Sequence, residues 1–92
     1  NKLEVSLFYL ALANRYSSSG EHLKSIAVFN DLINSKLLPS TESWSRVRLA
    51  QEYSSLGRKK EALENIDWVI KNGAHEDHKK MAKDILTKLN DK

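Results

Sequence analysis

Residues 6–36 and 43–73 of this chain are imperfect copies of one another, about 37 residues apart. Overlaid at that spacing, Ser6 falls on Ser43, Leu12 on Leu49, Ala13 on Ala50, Tyr16 on Tyr53, Gly20 on Gly57 and Ile33 on Ile70. Ser17 and Ser18 fall on Ser54 and Ser55, while Ile26 over Leu63, Phe29 over Ile66 and Leu32 over Val69 keep size and polarity. Two unrelated amphipathic segments share apolar spacing, but not a Tyr-Ser-Ser-x-Gly string. The repetition is therefore structural, and a period of this length corresponds to one supersecondary unit per copy.

The unit is helical. Gly20, Pro39, Gly57 and Gly73 are the only strong breakers in 92 residues, and they leave five stretches. Each stretch carries apolar residues at helical spacing, and none shows the alternation of a half-buried strand. Val5, Phe8, Leu12, Ala13 and Tyr16 make the first stripe, and Ile26, Phe29, Leu32 and Ile33 the second. Val47, Leu49, Ala50 and Tyr53 follow, then Ala62, Leu63, Ile66, Val69 and Ile70, then Met81, Ala82, Ile85, Leu86 and Leu89. Ser40 or Thr41 is expected to cap the third helix, with Glu42 at its positive end. Asn72-Gly73 is expected to close the fourth as a left-handed C-cap. The links at Gly20 and Gly57 are three or four residues long, which makes the flanking helices antiparallel neighbours.

Leu49-Ala50-x-x-Tyr53, Gly57 and Glu61-Ala62-Leu63 resemble the tetratricopeptide repeat. Leu12-Ala13-x-x-Tyr16, Gly20 and Ser25-Ile26 form a looser copy. The resemblance implies an all-α domain spanning residues 1–92: five antiparallel helices in a right-handed α–α superhelix. The first helical hairpin would occupy residues 3–36, the second 40–73, and a capping helix 76–91. The period exceeds the usual 34 residues, and the surplus falls at Lys36-Leu37-Leu38-Pro39. Two hairpins are fewer than such arrays commonly need, so further repeats before Asn1 or self-pairing are expected.

The resemblance also implies a function. Such arrays bind a peptide or helix of a partner protein in a groove lined by their first helices, without catalysis or cofactor. The wall would be formed by Leu7, Leu10, Ala11, Asn14 and Ser18, then Trp44, Val47, Arg48, Gln51 and Ser55. Leu10, Asn14, Trp44, Val47, Arg48 and Gln51 are the principal candidates. Amides at Asn14 and Gln51 suit a peptide backbone, and Trp and Arg often dominate interface energy. Some relatives clamp a terminal carboxylate; Asn14 matches that pattern, but Leu10 and Arg48 replace its Lys and second Asn. Trp44 fits either the groove or the core. Trp68 takes the place of Asp31, and is either covered by the fifth helix or marks a second contact surface.

Other chemistries find less support. The chain has no Cys, which excludes disulfides and thiol catalysis. No phosphate loop or nucleophile–base arrangement is visible, and His22 reads as isolated and solvent-facing. His75-Glu76-Asp77-His78 groups two imidazoles with two carboxylates, but a helix start explains the acids, and no metal is expected. Fifteen Lys and Arg against twelve Asp and Glu leave a net charge of +3. Arg58-Lys59-Lys60 and Lys79-Lys80 are interleaved with acids and form no stripe, which disfavours nucleic acid. No apolar run approaches a membrane span. The alternative within the binding class is self-assembly, through the repeat ends or Trp68.

Overall fold

The computed structural model describes residues 1–91, and they form five α-helices with no strand. These are α1 (Lys2–Ser18), α2 (His22–Ser35), α3 (Pro39–Ser55), α4 (Lys59–Asn72) and α5 (Glu76–Asn90). A shift of 37 residues carries both ends of α1 onto those of α3, both ends of α2 onto those of α4, and the start of α3 onto the start of α5. The repetition seen in the residues is thus a repetition of elements.

The turns repeat atom for atom. Gly20 and Gly57 have φ of 80° and 73°, a left-handed conformation that glycine adopts without a Cβ penalty. Behind them the N–H of Glu21 donates to the carbonyl of Tyr16 at 2.8 Å, and the N–H of Arg58 to that of Tyr53 at 2.9 Å. These bonds satisfy carbonyls that the helix ends would otherwise leave unpaired.

Two helix ends differ from expectation. The N-cap of α3 is Leu38, extended at φ −143° and ψ 142°, with Pro39 in the first turn. Proline drives the preceding residue out of the helical region and occupies a position whose N–H is unused. Ser40 and Thr41 are therefore already inside the helix and cap nothing. Gly73 is not left-handed either, with φ −57° and ψ 139°. Its lack of a side chain serves close approach: a Cβ there would stand 2.6 Å from the carbonyl oxygen of Val69. The left-handed cap belongs to Lys36, which ends α2 at φ 50°.

Helix α1 packs on α2, α2 on α3, α3 on α4, and α5 on both α3 and α4. Two apolar clusters result. Ala13, Ile26, Phe29, Leu32 and Ile33 gather around Leu49, which α3 contributes to the first repeat. Val47, Ala50, Ala62, Ile66 and Val69 gather with Ala82 and Leu89 of α5. Ala13, Ala50 and Ala62 are completely buried, and at these contacts a small side chain lets the helix backbones close. Burial of each large residue, such as Phe29 or Ile66, contributes about 1.5–3 kcal/mol.

The stripe on α1 is not the expected one. Phe8 is 67% exposed and Val5 is exposed as well, so neither belongs to the core. Ser6, Leu10 and Ala13 face the protein instead. Apolar residues run nearly all round this helix, so periodicity alone does not select the buried side.

Candidate functional site

A groove of about 240 Å³ opens between α1, the start of α3 and the start of α5. Leu3, Leu7 and Leu10 form its α1 wall, Leu38 and Trp44 the opposite wall, and His75 and His78 one end. Leu7 and Leu3 are each 56% exposed, so large aliphatic surface faces solvent here. The hydroxyl of Ser6 lies buried beneath this wall without a hydrogen-bond partner. Leu7 and Trp44 hold the same place in the two copies, one helical register apart by 37 residues.

The histidine end is ordered by a stack. The His78 ring lies 5.6 Å from that of Trp44 at an interplanar angle of 36°, and His75 meets His78 edge-on at 5.0 Å. Ser43 links the helices beneath: its Oγ accepts from the N–H of Ala74 at 3.2 Å and lies 2.8 Å from Nδ1 of His78. Burial, and then the neighbouring His75, hold the His78 pKa below its usual value, with Asp77 opposing them. Among the described residues no group of three or more His, Asp or Glu is placed to hold a metal ion.

A second polar arrangement joins the repeats. Glu52, only 2% exposed, accepts from Oγ of Ser17 at 2.5 Å and Nη2 of Arg48 at 3.3 Å on one oxygen. Nδ1 of His22 meets the other at 2.5 Å. Arg48 also donates through Nη1 to Oδ1 of Asn14, and its guanidinium lies 5.4 Å from the centre of the Phe29 ring. His22 is consequently not isolated, and with 31% of its side chain exposed it is only partly solvent-facing. Sequence reading passed over Glu52, although an acid four residues after Arg48 is itself a pairing signal on a helix.

The candidate residues thus separate. Leu10 and Trp44 share the groove. Asn14 and Arg48 are bonded to each other, so their polar groups are not idle on a groove wall. Val47 has no exposed surface and belongs to the second core cluster, so it drops out of the contact set. Gln51 is half-buried. Trp68 is half-buried against the second cluster, with the Arg46 guanidinium 4.9 Å from its ring centre. A larger hollow of about 760 Å³ borders the end of α1, but among its lining residues only Leu12 and Tyr16 are apolar.

No protein-family model matches the chain. No curated protein and no solved structure matches it either.

Proposed function

We propose that this chain is a tetratricopeptide-like array of two α-hairpins and a capping helix, and that it binds a segment of a partner protein in the groove between α1, α3 and α5. Helices that begin at equivalent register positions supply that groove, as first helices do in such arrays. The observation that carries the reading is the pairing of exposed Leu3 and Leu7 with Trp44 around one concavity. An aromatic and several aliphatics around a recess suit the apolar face of a short helix or an extended segment with one apolar anchor. Leu10 completes the wall, and Gln51, further along α3, is available to a peptide backbone. No catalysis or cofactor enters this reading.

The test is selection from a random-peptide display library, followed by titration of the Trp68→Phe variant, in which Trp44 is the sole indole. Enriched peptides are expected to shift Trp44 emission. Leu7→Glu, at an exposed site, is expected to abolish the shift without changing far-UV helicity. Peptides that bind the Leu7→Glu variant as tightly as the parent would sink the groove assignment.

A further inference from the structure

The repeat register exposes a second apolar face on α1, separate from the groove. Phe8, Leu12 and Arg15 are succeeded 37 residues on by Ser45, Leu49 and Glu52, and again by Ala82, Leu86 and Leu89. In α3 the three positions are buried against the preceding helix pair: Leu49 lies in the first cluster, and Glu52 meets Ser17 and His22. In α5, Ala82 and Leu89 are buried against α3 and α4. In α1 the same positions hold an exposed Phe8, a half-buried Leu12 and an exposed Arg15, with exposed Val5 beside them. At 100° per residue this stripe points well away from Leu3, Leu7 and Leu10.

We infer that this face pairs with the same face of a second copy, in a two-fold antiparallel contact between their first helices. The stripe is self-complementary. Glu4 stands at one end and Arg15 at the other, and Arg15 has no carboxylate partner among the described residues. An antiparallel pairing that sets Phe8 on the partner's Leu12 brings Glu4 to the partner's Arg15, twice by symmetry. At the opposite end, among the described residues, the exposed side chains of α5 are all polar, Lys80, Lys83, Asp84, Thr87 and Lys88 among them, and its apolar residues are at least half-buried. Head-to-head pairing therefore fits, and head-to-tail growth does not. The inference does not depend on the groove reading.

Sedimentation velocity on the 92-residue chain from micromolar to sub-millimolar concentration tests it. The mass is expected to rise from monomer to dimer and stop there. Phe8→Glu is expected to remain monomeric with unchanged helicity, because the side chain is exposed, while Leu7→Glu in the groove still dimerises. Glu4→Arg and Arg15→Glu should each weaken the dimer roughly two- to thirty-fold, the scale of two symmetry-related exposed ion pairs, and the double reversal should restore it. A monomer at every concentration overturns the inference and leaves the face to a different occupant. Unchanged dimerisation of Phe8→Glu overturns it as well, and failure of the double reversal overturns the antiparallel register.

Discussion

The buried carboxylate of Glu52 meets Nδ1 of His22 at 2.5 Å, joining α3 to the first turn of α2 across thirty positions of sequence. Ser17 and Arg48 complete its coordination, so one side chain ties the end of α1, the start of α2 and the middle of α3 together. Removing it leaves a half-buried Arg48 and two donors without their acceptor. Glu52→Ala is expected to lower unfolding free energy by roughly 1–3 kcal/mol, discounted because His22 and Arg48 retain some solvent. Urea denaturation measures this, and a loss below about 0.5 kcal/mol would mean the cluster contributes little.

Ser25 predicts the opposite sign. Its hydroxyl is fully buried and has no partner, whereas the equivalent place in the second copy is Ala62. An unpaired buried hydroxyl costs stability that a methyl does not. Ser25→Ala should raise the urea midpoint, with a gain of about 1 kcal/mol; a loss would show that the hydroxyl bonds in solution.

The glycines should rank by mechanism. Gly20→Ala and Gly57→Ala meet nothing within 4 Å and suffer only from positive φ. Each is expected to cost about 1 kcal/mol. Gly73→Ala keeps an ordinary φ but drives a methyl onto the Val69 carbonyl, and the α4–α5 link must shift. It should cost more than either, by comparison of thermal midpoints, and equal costs would refute the close-approach argument.

Protonation of His78 should destabilise the fold. Burial and the His75 charge lower its pKa from 6.5, so the unfolded chain binds the proton more readily. The contribution is fully present above pH 6.5 and is lost as pH falls through the lower folded value. Stability measured on either side of that window should decline toward acid, and His78→Gln should flatten the decline. Imidazole NMR resonances that place the His78 pKa above 6.5 would contradict it.

Much of this architecture is legible in the residues. The overlay of Tyr16-Ser17-Ser18 on Tyr53-Ser54-Ser55 located both of these turns, because a left-handed position favours glycine and the copies carry Gly20 and Gly57 at the same place. Ala13, Ala50 and Ala62 read as contact points for the same reason: a small residue in an apolar stripe marks close helix approach. Leu10 and Trp44, grouped by their register, line one recess in the structure. Other features were not local. Pro39 outweighed Ser40 and Thr41 because a fixed φ acts on its predecessor, whereas a hydroxyl cap acts only if the chain is already extended there.

The sequence by itself determined five helices, the two turns at Gly20 and Gly57 and the 37-residue register, since these follow from period, breakers and repetition within short windows. Only the tertiary structure decided which side of α1 is buried, that Val47 lies in the core, and that Asn14 and Arg48 bond each other. An apolar helix offers several equivalent faces, and the neighbouring helices select one. The partner of a buried carboxylate such as Glu52 is likewise set by which distant donor the packing brings within reach.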